Sequence, residues 1–149
     1  MFDELRQSFR TMFEGARTPA DRREVVAQMK ESLVRARLGR DDLRAGVEAS
    51  RRRVEAAREE LETTRRRGRL AADVDDRETV SVAARFEAQQ AERLAVLERK
   101  LAAQEAELAL VEREVAEMGA ELKRAAAGVA SAAAPGGGPN AFARASAAE

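Results

Sequence analysis

Residues 94–122 read LAVLERKLAAQEAELALVEREVAEMGAEL. Leu94, Leu97, Leu101, Gln104, Leu108, Val111, Val115, Met118 and Leu122 recur at alternating steps of three and four, and eight of these nine are apolar. That spacing lays one stripe along a helix at the period of a left-handed coiled coil. The pattern extends back through Val80, Ala83, Glu87 and Gln90, and forward through Ala125 and Val129, so one helix is expected from Arg77 to about Val129.

Upstream, Gly68, Asp73, Asp75 and Asp76 are poor helix formers, and Asp76 is suited to cap the helix that begins at Arg77. A turn is therefore expected within 68–76. Before it, a second heptad series runs from Pro19 to about Arg67. Its seam reads Val26, Met29, Leu33, Ala36, Arg40, Leu43, Val47, Ser50, Val54, Ala57, Leu61, Thr64. Arg40, Ser50 and Thr64 weaken that seam, but polar seam residues often set register. At roughly 1.5 Å per residue the series corresponds to a rod near 70 Å. Two such stripes joined by a tight turn predict an all-α fold, with a long antiparallel coiled-coil hairpin over 19–129. Residues 1–72 carry a net charge of +5 and residues 73–149 one of −5, so antiparallel halves attract and orient each other.

Composition agrees. Charged residues make up 36% of the 149 and aromatics 3%, with no Trp and no Tyr, which suits long helices better than a globular core. Cys and His are absent, removing thiol chemistry, the commonest zinc ligands and the usual neutral-pH base. No paired carboxylates in a pocket, nucleophile–base pair or phosphate-binding glycine loop is apparent, so no enzyme, cofactor or metal is expected. Asp73, Asp75 and Asp76 lack the glycine and distal glutamate of an EF-hand loop. Arg51-Arg52-Arg53 and Arg65-Arg66-Arg67 lack interleaved aromatics, and nearby Glu55, Glu59, Glu60 and Glu62 dilute their field, so no nucleic acid is expected. There is no apolar run of bilayer length and no secretory signal, and a cytoplasmic location is the expectation.

Two ends lie outside the hairpin. After Val129 the chain turns Ala-rich and then reads Pro135-Gly136-Gly137-Gly138-Pro139, so residues 130–149 are expected to be a disordered tail with Phe142 as its one aromatic. Residues 1–17 form an amphipathic segment. Phe2, Leu5, Phe9, Met12, Phe13 and Ala16 fall within an arc of about 100° at ~100° per residue. Arg6, Arg10 and Arg17 border it. Thr18-Pro19-Ala20-Asp21 then reads as a helix start after a short hinge.

The order of amphipathic helix, proline hinge, long helix, turn and long helix resembles phage-shock protein A and its plastid relative, the vesicle-inducing protein, within the ESCRT-III superfamily. Met29-Lys30-Glu31-Ser32-Leu33-Val34-Arg35-Ala36-Arg37 is similar to the family stretch M-x-[DE]-[ST]-L-V-x-x-R after the hinge. Arg77-Glu78, Ala83-Ala84 and Glu87-Ala88-Gln89 look like the opening of its return helix. Family members continue into further helices where this chain has its Pro/Gly stretch. The resemblance implies a self-assembling peripheral membrane protein of the stress response, on the inner face of the cell membrane. Phe2, Leu5, Phe9, Met12 and Phe13 would insert, with Arg6, Arg10 and Arg17 near lipid phosphates. Expected partners are lipid, further copies of the chain, and a longer family member with which it co-assembles.

The alternative is a soluble coiled-coil adaptor or dimerisation module that presents its tail or its N-terminal helix to a protein partner; for the first helix taken alone, the alternative to lipid is a cap folded back on the hairpin. The lipid expectation leans on a premise: a two-helix hairpin has no home for the N-terminal strip. Phenylalanines seated between the two helices leave a scaffold in its place. Val25, Val34, Leu38, Phe86, Val96 and Leu110 lie off the seams and predict a second, intermolecular face.

Overall fold

A computed structural model describes residues 2–133, and side chains from Asp3 onward. The chain is all-α: α1 is Phe2–Gly15, α2 is Pro19–Asp73 and α3 is Arg77–Ala133. The α2 start follows the sequence reading closely. Thr18 Oγ1 accepts from the Asp21 amide at 3.1 Å, and Asp21 Oδ2 accepts from the Thr18 amide at 3.1 Å. This reciprocal pair satisfies two backbone donors at the helix entrance.

The turn falls within the expected stretch, but α2 runs on past its expected end near Arg67. α2 runs through Gly68 to Asp73, so only 74–76 lie between the helices. Gly68 is needed for packing: a Cβ there would sit 3.3 Å from the Ala83 Cβ, so its absence lets α3 approach closely. The exit from α2 is a Schellman arrangement. The Asp76 amide donates to the Ala71 carbonyl at 2.9 Å and the Asp75 amide to the Ala72 carbonyl at 3.1 Å. Asp75 takes the left-handed position, φ 56°, that glycine usually holds. Asp76 then caps α3, accepting from the Thr79 amide at 3.0 Å and the Thr79 hydroxyl at 2.6 Å. Those bonds hold its carboxyl below the ordinary aspartate range. The three aspartates of this stretch thus belong to helix termini and a turn.

The described residues divide into two compact units, Leu33–Glu117 on one side, and the residues up to Ser32 with those from Met118 on the other. In the first, every expected seam position is buried or half-buried, with Val47 the most enclosed at 2% exposure. Ser50 donates to Gln104 Oε1 at 2.6 Å, so the two polar seam positions satisfy each other across the helices. One flank is closed by ion pairs: Arg44–Glu112 at 2.6 Å, Arg51–Glu105 at 2.8 Å, Arg58–Glu98 at 2.7 Å and Arg65–Glu87 at 2.8 Å. Each Arg comes from the basic half and each Glu from the acidic half, so the charge asymmetry is spent on orientation. These pairs are solvent-exposed, so they set orientation more than stability.

α3 continues to Ala133, so 130–133 form its last turn, contrary to the expected tail. The remainder of that expectation, 134–149, lies outside the described residues.

Candidate functional site

The second unit contains the N-terminal segment expected to meet lipid. α1 forms for the reasons its pattern implies: acids Asp3 and Glu4 in the first turn, one apolar face, and Gly15 at its end. Arg17 falls outside the helix, exposed in the linker 16–18, in which Ala16 is buried.

The apolar face is housed. Phe9 is 7% exposed, in a cluster with Val25, Val26 and Met29 of α2 and Ala125 of α3. Leu5 and Phe13 pack against that cluster, as do Leu122, Ala126 and Val129. The premise that a hairpin offers no seat is therefore overturned: three helices meet here, and the third is α1 itself. Two sequence signals pointed to the seat. Val25 and Val26 are adjacent, so they face different sides of α2, and Val25, assigned to an outer face, is 8% exposed beneath α1. Gly128 leaves the space that the Phe13 ring uses, its Cζ lying 3.7 Å from where a Cβ would stand.

Polar contacts border the seat. Arg10 donates to Glu121 Oε2 at 3.3 Å and Arg124 to the same oxygen at 2.7 Å. The Arg22 guanidinium stands 5.6 Å from the Phe13 ring centroid and donates to the Ala16 carbonyl at 3.3 Å. Arg6 bonds Asp3 at 2.6 Å. So Arg6 and Arg10, expected at lipid phosphates, are engaged by carboxylates in this arrangement. The seat is incomplete: Met12 is 40% exposed, Leu5 and Phe13 are half-buried, and an open groove of about 200 Å³ runs beside Phe9, Phe13, Met29 and Ala125. The Phe2 side chain lies outside the described part.

Arg10 first, and then Arg124, hold the Glu121 carboxyl below the usual glutamate range, against the opposing effect of burial. A depressed value means that the seated carboxylate favours its charged form. Its stabilisation is complete above the ordinary glutamate value of about 4.3 and is lost as pH falls through the lowered value. Amide exchange of α1, corrected for its intrinsic pH dependence, should therefore stay flat from neutrality down to that range and then accelerate. Glu121→Gln should remove the step.

The hairpin unit also carries a concavity lined by Thr64, Arg67, Val82, Ala83, Phe86 and Gln90, and Gln90 Oε1 is enclosed without a hydrogen-bond partner among the described residues. Among the described residues no cluster of carboxylates is placed to hold a metal ion, and no helix is long and apolar enough to cross a membrane. Comparison with protein-family models, curated proteins and solved structures finds no match for this chain.

Proposed function

We propose that this chain is a coiled-coil hairpin scaffold that associates with further copies of itself. The seat of Phe9 carries the reading. Because the N-terminal strip has its surface within the chain, large apolar side chains left in water lie mainly on the hairpin: Val34, Leu38 and Leu70 on α2, Val74 in the turn, and Val82, Phe86, Val96 and Leu110 on α3. The four on α3 each precede a seam position by one residue (Ala83, Glu87, Leu97, Val111), whereas Glu98, Glu105 and Glu112 of the ion-pair ladder each follow one. At ~100° per residue these are opposite flanks. One flank is saturated with ion pairs and the other keeps bulky apolar groups for a neighbour. Sedimentation at tens of micromolar should show oligomers that the double variant Phe86→Glu, Leu110→Glu dissociates. A wild-type monomer at that concentration removes the reading.

A second reading is favoured by the incomplete seat. Met12 and the open sides of Leu5 and Phe13 would all be covered at a bilayer, where burial is worth ~25 cal/mol per Å². In this reading the protein is the peripheral, self-assembling membrane protein that its family resemblance implies, at the inner face of the cell membrane and in company with a longer relative. α1 must then leave its seat to insert. The chain has no cysteine, so Arg10→Cys with Glu121→Cys gives a unique site for a short thiol cross-linker. Vesicle flotation of the free form, abolished on cross-linking, supports insertion by a released α1. Absence of flotation in both forms leaves the scaffold alone.

A further inference from the structure

The flank of α3 opposite the ion-pair ladder has a period of its own. Val82, Gln89, Val96, Ala103 and Leu110 follow one another at seven-residue steps, and all five are exposed. A seven-residue repeat keeps one line of contact along a helix in a left-handed coiled coil. Phe86, also exposed, continues this face toward the turn. On the same side of the hairpin α2 has Gly39 and Gly46, each one residue before a seam position and each with open space where a Cβ would stand. At those two positions α2 raises no side chain against a neighbour.

Charges border this second stripe in a pattern that decides its occupant. One border reads Arg93, Lys100, Glu107, Glu114, again at seven-residue steps, two bases and then two acids. The other border has Glu92 toward one end and Arg113 toward the other. None of these six takes part in an ion pair among the described residues. A run of two bases and two acids is its own complement when reversed. We propose that two copies of the hairpin pack α3 against α3 in antiparallel order, about a two-fold axis at Ala103.

The pairings agree on both borders. Ala103 meets its counterpart on the axis, where a small side chain lets the helices approach. Val96 lies opposite Leu110 of the second copy. Arg93 faces Glu114 of the second copy, Lys100 faces Glu107, and across the stripe Glu92 faces Arg113. Each pairing occurs twice, as a two-fold contact requires. The competing alignments are opposed by charge. A parallel pair in register sets Arg93 on Arg93 and Glu107 on Glu107. An antiparallel pair displaced by one heptad sets Lys100 on Lys100, or Glu107 on Glu107, at the axis. Like charges facing each other across an interface are unfavourable. Burial of Val96 and Leu110 supplies the attraction, and the exposed charges select direction and register. The inference rests on the self-association proposed above and adds its geometry.

Lys100→Glu and Glu107→Lys each oppose like charges twice across the axis. Each should raise the dissociation constant of the dimer, read by sedimentation, about tenfold. The double variant exchanges the two charges and should return to within about twofold of wild type. Lys100 and Glu107 are exposed, so circular dichroism should show the hairpin folded in all three variants. The chain has no cysteine, so Ala103→Cys should be joined to its counterpart by a short thiol cross-linker. Gln89→Cys should not be, since antiparallel order holds the two copies of that position about 42 Å apart at 1.5 Å per residue. Oligomers in which both cysteine variants cross-link, or neither does, overturn the antiparallel pairing and leave self-association standing. So does a double variant as weak as the single ones. A wild-type monomer at roughly tens of micromolar removes self-association and this pairing together.

Discussion

Phe9→Glu should detach α1 and leave the hairpin folded. Phe9 is the one buried side chain of the described part of α1, and the helix is otherwise held by the half-buried Leu5 and Phe13 and by polar contacts at the border. Truncating a buried phenylalanine alone costs about 3–5 kcal/mol. A carboxylate placed among Val25, Val26, Met29 and Ala125 adds the penalty of an unpaired buried charge. Once detached, the 14 residues of α1 are too few for a stable isolated helix. Exchange measured on a peptide spanning 2–15 should accelerate by about a hundredfold or more, since each 1.4 kcal/mol is a factor of ten. Exchange in the middle of α2 and α3 should not change. Retained protection over 2–15 would show that α1 is held by something other than this cluster, and Phe9 would lose its place as the anchor of the seat.

Leu61→Ala should cost about 2–5 kcal/mol, the range for a buried leucine truncated in a core that cannot collapse around it. Leu61 is 5% exposed at the seam, whereas Leu38 on the same helix is 61% exposed. Leu38→Ala should therefore fall within about 0.5 kcal/mol of wild type. Urea unfolding followed by far-ultraviolet circular dichroism separates the two, and the comparison holds residue type and helix constant. A total stability of the usual 5–15 kcal/mol makes the first change a large fraction of the whole. Equal midpoints for the two variants would mean that the heptad seam does not carry the hairpin.

Most of the architecture was legible because coiled-coil packing is periodic. Each seam residue from Val26 to Thr64 and from Val80 to Val129 is buried or half-buried, and periodicity alone picks them out. The helix start at Thr18 was legible from cap chemistry, since a threonine, a proline and an aspartate at those spacings serve the free backbone donors of a first turn. The turn was placed in the right stretch, but the end of α2 was set too early, near Arg67, because Gly68 carries two meanings. A glycine marks a break in local terms, yet here it clears the way for Ala83 on the facing helix, a neighbour across the turn that no helical period links to it.

The site was legible in its members and not in their destination. The amphipathic pattern of Leu5, Phe9, Met12 and Phe13 states that one face of α1 must leave water, and is silent about what covers it. A bilayer, a second copy and the chain's own hairpin offer apolar surface of the same kind, and hydrophobic burial has no direction of its own. Thus the sequence by itself determined three helices, their amphipathic faces, the antiparallel order of two of them and the charges that orient it. Only the tertiary structure decided that α1 is seated, because the seat is made jointly by Val25, Val26 and Met29 with Ala125, Leu122 and Gly128. Residues about a hundred positions apart build one surface only after the hairpin has closed, and no local period records their meeting.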